Sequence, residues 1–207
     1  MADAPDRPQI TLLTPPELEL ATFPGLLAAC LDAVPVACLR LVLSTRDEDR
    51  IGRAADALRE VAHARDVPVV IEGHVALAQR LGLDGVHLTD GARSVRKVRK
   101  ELGADAIVGA FCGASRHDGL TAGELGADYV AFGPVGASAL GDGRRAERDL
   151  FAWWSEMIEV PCIAEGELDA ALVCDLAPVT DFFGLGPEVW GADDPVAALR
   201  ALDAAMA

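Results

Sequence analysis

The sequence predicts an α/β protein built as one closed (β/α)8 barrel, the TIM-barrel architecture. Three observations predict it. Eight short apolar runs alternate with helical patterns over 207 residues. The runs are apolar on both faces, as parallel strands covered by helices are. The first run ends in Thr14-Pro15-Pro16, whereas an open doubly wound sheet would carry a glycine-rich turn there.

The candidate strands are 10–13, 36–43, 68–71, 85–88, 106–110, 129–132, 161–164 and 181–185. Each is rich in β-branched, aromatic or aliphatic residues and is bounded by Gly, Asp or Pro. Helical spacing fills the intervals. Over 50–64, Ile51, Ala54, Ala55, Leu58 and Val61/Ala62 share one stripe. Segments 75–81, 94–102, 120–125, 150–158, 168–176 and 195–206 behave alike. The last begins with Asp193 and Asp194 ahead of Pro195, an N-cap followed by proline in the first turn. One domain is expected over 1–207, with no linker, low-complexity tract or longer repeat. The polar stretch 133–148, GPVGASALGDGRRAER, reads either as a lid after the sixth strand or as a disordered surface loop.

Hydrophobic residues make up 51% of the chain, enough for a sizeable core. No apolar run reaches the roughly 18 residues that span a bilayer. The acidic, proline-bearing start MADAPDRPQ is unlike a signal peptide. The expected location is therefore cytoplasmic. A net charge of −15 repels nucleic acid and anionic membranes, so neither is an expected partner. Five cysteines without CxxC spacing are expected as reduced thiols.

Function in such a barrel gathers at the C-terminal ends of strands. Arg40 lies inside the apolar run CLRLVL and needs either a ligand or a buried partner. Glu72 follows the third run, and His87 closes DGVHL with Thr89 and Asp90 behind it. Arg40, Glu72 and His87 are the catalytic candidates. Asp90, Ser138, Gly166, Gly184 and Gly186 are the substrate-binding candidates, and Asp90 doubles as a metal ligand. Glu72, Asp90, Glu165, Glu167 and Glu188 gather at the mouth, either as a cluster that invites cations or shares protons or as an ordinary acidic rim. Asp84 and Asp128 open their strands and read as caps on the opposite, stability face. The basic run Arg93, Arg96, Lys97, Arg99 and Lys100 reads as a solvated helix face. No HExxH, GxSxG or GxxxxGK[ST] motif occurs.

LGLDGVHLTD, ADAIVGAF and ELGADYVAFGPV carry a resemblance. The chain resembles the thiamine-phosphate synthases and the related thiazole tautomerase, most specifically over 126–135. The resemblance implies a small-molecule ligand, Mg2+ as cofactor and a homo-oligomer. It implies a transferase that joins a pyrimidine diphosphate to a thiazole phosphate and releases pyrophosphate. Arg40 survives from the family's Gln-x-Arg-x-Lys pattern. The family's Asn-Asp-Arg becomes Glu72-Gly73-His74, and its Gly-Gln-x-Asp becomes Thr89-Asp90-Gly91-Ala92. Asp90 thus stands two residues before the lost magnesium aspartate. Ser-x-His becomes Phe111-Cys112-Gly113, and Thr-x-Thr-Lys becomes a region with Ser138 and no lysine. Gly-Gly becomes Gly166-Glu167. A carboxylate about 4 Å from a phosphate, at an effective dielectric of about 20, costs about 4 kcal/mol. Three readings follow: a divergent synthase, a catalytically degenerate ligand-binding or regulatory relative, and an acid/base isomerase using Glu72 or His87.

Overall fold

The computed structural model describes residues 7–138 and 140–207. Eight strands close into a barrel in sequence order: β1 (Gln9–Leu13), β2 (Cys38–Leu41), β3 (Val69–Glu72), β4 (Gly85–Leu88), β5 (Ile107–Phe111), β6 (Tyr129–Phe132), β7 (Cys162–Glu165) and β8 (Phe182–Leu185). All pairs are parallel, and β8 closes on β1. The outer ring holds α1 (Phe23–Ala33), α2 (Glu48–His63), α3 (Val75–Leu81), α4 (Val95–Leu102), α5 (Arg116–Glu124), α6 (Arg148–Met157) and α7 (Ala170–Leu176). A 3-10 turn (Ala177–Val179), the short α8 (Pro187–Trp190) and α9 (Pro195–Ala204) complete it.

The strand positions follow the apolar runs closely. The second strand is shorter than the expected 36–43. It stops pairing at Leu41 because the Val42 N–H donates to the Thr14 hydroxyl at 2.9 Å instead. Helix α5 starts at Arg116, not 120, because the Ser115 side chain accepts from the Asp118 N–H and sets the first turn. Helix α1 was not among the expected helices. Pro24 stands in its first turn, where proline is at home. Phe23, Leu27 and Cys30 form its buried stripe. Asp194 caps α9 by accepting from the Ala197 N–H at 3.0 Å, with proline beside it, as the sequence reading has it.

The bottom of the barrel is tied by a repeated device. Asp84, which precedes β4, accepts from the Val69 N–H of β3 at 2.7 Å. Asp128 accepts from the Val108 N–H of β5 at 2.7 Å, and Asp181 from the Cys162 N–H of β7 at 2.8 Å. Each aspartate therefore satisfies the first free donors of the preceding strand. His63 Nε2 donates to the Asp84 carboxylate at 2.8 Å, and Arg99 pairs with Asp128. Asp84 and Asp128 are the stability-face caps the sequence suggests.

Between strands and helices lies the main apolar layer, with Trp154, Phe132, Phe151 and Phe183 fully buried. Inside the barrel, Tyr129, Ala131 and Ile163 form a smaller cluster with Ile107, Phe111 and Phe182. Tyr129 reaches across β5 because Gly109 stands there. A Cβ at Gly109 would sit 2.0 Å from the Tyr129 ring carbon Cζ. All five cysteines are free. Burial pushes the Cys38, Cys112 and Cys162 thiols up to about 12.

Gly109→Ala is expected to lower unfolding free energy by about 3 kcal/mol, at the upper end for overpacking, because the ring has no free space to enter. Denaturant unfolding measures it. A loss under about 0.5 kcal/mol, the ordinary range for surface changes, would contradict the close approach of Tyr129.

Candidate functional site

Register brings the inward-facing polar residues to one level. Glu72 on β3 lies opposite His87 on β4, His87 opposite Gly109, and Gly109 opposite Tyr129. Across the barrel, Glu165 lies opposite Gly184, and Gly184 opposite Thr11. The missing side chain at Gly184 is what admits Glu165. A Cβ there would come within 2.9 Å of Glu165 Cβ.

Arg40 enters this space from β2. Its Nη2 donates to Glu165 Oε2 at 2.5 Å, and its Nη1 donates to His87 Nε2 at 2.9 Å. The same Nη1 also lies 3.2 Å from His87 Nδ1, and a guanidinium only donates, so His87 faces it as an acceptor. Nδ1 lies 3.0 Å from the Tyr129 hydroxyl. The two rings stack at 5.7 Å. Arg40 and Glu165 are each 2% exposed and His87 is 1% exposed. Among the described residues Arg40 Nε has no hydrogen-bond partner.

The electrostatics follow from burial. Desolvation acts to lower the Arg40 pKa, but Glu165, Tyr129 and Glu72 outweigh it and leave it raised, so Arg40 stays charged. Burial, and then Arg40, push His87 well below its ordinary value. His87 is therefore a neutral imidazole. Burial raises Glu72, with Glu165 adding to the rise and Arg40 opposing it. Burial also pushes the Tyr129 hydroxyl up, so it remains protonated.

Arg40, Glu72, His87 and Gly184 are thus brought together, with Glu165 and Tyr129 as their partners. Of the three catalytic candidates only Glu72 is part-exposed; Arg40 and His87 lie sealed beneath the mouth. Arg40 answers its buried charge with a partner on β7. The remaining candidates sit elsewhere on the rim. Asp90 is exposed and accepts from the Ser94 hydroxyl at 2.6 Å. Ser138 follows β6, and its hydroxyl accepts from the Leu140 N–H at 3.2 Å. Gly166 turns the chain after β7 at φ +93°. Glu167, next to it, holds a left-handed φ of +55° that glycine adopts without strain. The beginning of the 133–148 stretch is tied to that turn. Val135 N–H donates to Glu165 O and Gly136 N–H to Gly166 O.

Two features go beyond the sequence reading. A cavity of about 590 Å3 opens among the loops after β4, β5 and β6, lined by Asp90, Arg93, Phe111, Ser115, Asp118 and Arg144. Arg93 makes no salt bridge among the described residues, and Arg144 pairs only with the exposed Asp142. The second feature is Glu188. Its carboxylate folds back against the loops after β7 and β8, where Oε2 accepts from the Gly186 N–H at 3.1 Å. No sequence signal separates it from an ordinary first-turn glutamate.

Two outcomes are expected from this geometry. Glu165→Ala strands the Arg40 charge and is expected to cost about 3–5 kcal/mol. Adding Arg40→Met to Glu165→Leu should recover most of that in denaturant titration, and an innocuous Glu165→Ala would contradict the pairing. His87 gives a pH signature. The unfolded chain protonates near pH 6.5 while the folded chain does not, so the unfolded state binds more protons below that pH. Stability therefore falls as pH drops below about 6.5. His87→Gln should flatten the fall between about pH 7 and 5, and an unchanged slope would contradict a sealed neutral imidazole.

The comparisons with known proteins agree with this architecture. The family model described as thiamine monophosphate synthase matches residues 10–178. A thiamine-phosphate synthase of Rhodospirillum centenum is 39% identical over 188 residues, covering 88% of this chain and 89% of its own. One from Erythrobacter litoralis is 35% identical over 203 residues, covering 95% of each. The solved thiamine phosphate pyrophosphorylase from Pyrococcus furiosus superposes with a TM-score of 0.84 at 19% identity, covering 96% of this chain and 95% of its own. With a closed eight-stranded barrel and relatives matched nearly end to end, the chain belongs to the thiamine monophosphate synthase family.

Proposed function

We propose that this chain is a transferase that joins a pyrimidine carried on a diphosphate to a thiazole ring nitrogen and releases pyrophosphate. Family membership supports the reaction. What supports the placement is the cavity beside β4, β5 and β6. It lies at the C-terminal face where barrel enzymes work, and its size suits a small ligand.

The chemistry asks little of proton transfer. The bond between the pyrimidine methylene carbon and the diphosphate oxygen breaks, and the electron pair leaves with pyrophosphate. The thiazole nitrogen lone pair forms the new carbon–nitrogen bond. No proton moves, so no general base is required. The demand is electrostatic: negative charge grows on the leaving oxygens and must be stabilised. Arg93 and Arg144 are the cations that line the cavity. Glu72, the candidate that reaches the mouth, supplies negative charge on the side of the cationic carbon. Arg40 and His87, bonded to each other and to Glu165 and Tyr129, act as positioning residues that fix the floor of the mouth.

The donor set suits a magnesium ion that arrives on a diphosphate. Magnesium keeps several waters and needs only one or two protein carboxylates beside phosphate oxygens. Asp90 and Asp118 both line the cavity, and Asp118 Cγ lies 3.9 Å from where a Cβ on Gly91 would stand. Among the described residues no group of three metal-ligating side chains forms a protein-only site. Asp90 and Asp118 would hold the ion, which supplies further charge stabilisation to the departing oxygens. A small-molecule substrate pair is the expected partner set, and no helix of the described residues is long and apolar enough to cross a membrane. The acidic surface disfavours nucleic acid, and homo-oligomerisation carries over as a family expectation.

Purified protein given both precursors should release pyrophosphate, with release lost when magnesium is chelated or either precursor omitted. Arg144→Ala should lower kcat/KM by about a hundred-fold, the scale of losing one transition-state donor. Folded wild-type protein that releases no pyrophosphate would contradict the reading.

A further inference from the structure

The cavity that holds Arg93 and Arg144 has one aromatic wall. Phe111 ends β5 and stands in register with Ala131 of β6. Its ring packs against the interior cluster of Tyr129, Ala131 and Ile163, and it also lines the cavity. Among the described residues it is the only Phe, Tyr or Trp that does so. Phe132, Phe151 and Phe183 are buried, whereas Phe111 stays part-exposed. Apolar ring surface left facing water is unfavourable, and a flat ligand laid on it removes that surface from water. The loop after β6 meets the ring edge at Gly141. A Cβ there would sit 2.9 Å from Phe111 Cε1, and Gly141 holds a φ of +63° that suits glycine.

We propose that Phe111 is a specificity-determining residue of this cavity, the platform on which the aromatic ring of the diphosphate substrate stacks. The naming of that ring as a pyrimidine rests on the transferase reading; the preference for a flat aromatic ring over a saturated one does not. A single methylene carbon joins the pyrimidine to its diphosphate, so the ring must lie close to whatever holds the anion. Arg93 and Arg144 share the cavity with Phe111. A heteroaromatic ring has apolar faces and polar edges. Phe111 suits a face, and the hydroxyl-bearing wall of Thr89, Ser115 and Thr121 suits an edge. Because Phe111 is carried on a strand and backed by packed side chains, the platform is fixed before the ligand arrives.

The test uses the full chain and isothermal titration with two probes. One is the pyrimidine alcohol, the substrate without its diphosphate, and the other is magnesium pyrophosphate. Phe111→Leu keeps an apolar side chain against the interior and removes the flat face. It should bind the alcohol about tenfold or more weakly than wild type, with pyrophosphate affinity unchanged, as loss of one ring-on-ring contact requires. Equal binding of the alcohol by variant and wild type overturns the proposal. So does a wild type that does not bind the alcohol, and so does an equal loss of both probes, because Phe111 then only shapes the cavity. Where the variant does not fold, wild type decides through a saturated six-membered-ring alcohol of the same size. Weaker binding of the saturated ring supports the platform, and equal binding overturns it. Absence of turnover removes the transferase reading, while binding of the alcohol still judges Phe111.

Discussion

The Arg40–Glu165 ion pair at the barrel axis is the constraint around which the interior is arranged. Two charges 2% exposed are tolerable only if each meets the other at close range. The neighbouring residues read as consequences. Gly184 is side-chain-free so that Glu165 can stand beside β8. His87 accepts from the free Nη1 of Arg40 and must stay neutral to do so. Tyr129 meets the other ring nitrogen, and Gly109 leaves the space its ring needs. Four strands, β2, β4, β6 and β7, thereby share one polar network beneath an otherwise apolar barrel. The network fixes the floor of the mouth rigidly, because a buried polar group that moved would lose partners it cannot replace.

That arrangement shapes where anion chemistry can occur. Arg40 would be the natural cation for a diphosphate, but Glu165 neutralises it and burial hides it. Free positive charge at the mouth instead comes from Arg93 and Arg144, on the loops after β4 and β6. On the other side of the mouth, Glu167 and Glu188 make the β7–β8 loops negative. The mouth thus carries cations at one side and carboxylates at the other. A chain with a net charge of −15 can manage a diphosphate only where such local donors overcome the global field.

Much of the scaffold was legible because burial writes itself into composition. β4 and β6 were read to the residue from GVHL and YVAF, since strands covered on both faces are apolar without interruption. The same property hid the interior. With no period-two alternation, nothing distinguished Tyr129, which points inward, from Val130, which points outward. Arg40 was legible as a buried charge in want of a partner, but Glu165 lies 125 residues away and no local spacing links them. Helix α8 was unread because its four residues between glycines look like a turn. Glu188 was read only as part of an acidic rim, because its contact with Leu168 joins two loops that the sequence keeps far apart. The cavity lining came from three loops whose convergence only barrel closure creates.

The central claim is that pyrophosphate binding belongs to the loops after β4, β5 and β6, where Arg93 and Arg144 line the cavity. A crystal structure of the wild-type chain soaked with magnesium and pyrophosphate tests it most directly. The account predicts pyrophosphate density against Arg93 and Arg144, with Glu188 still folded onto Gly186. Pyrophosphate seated between Gly166 and Gly186, with Glu188 turned out to solvent, would contradict it.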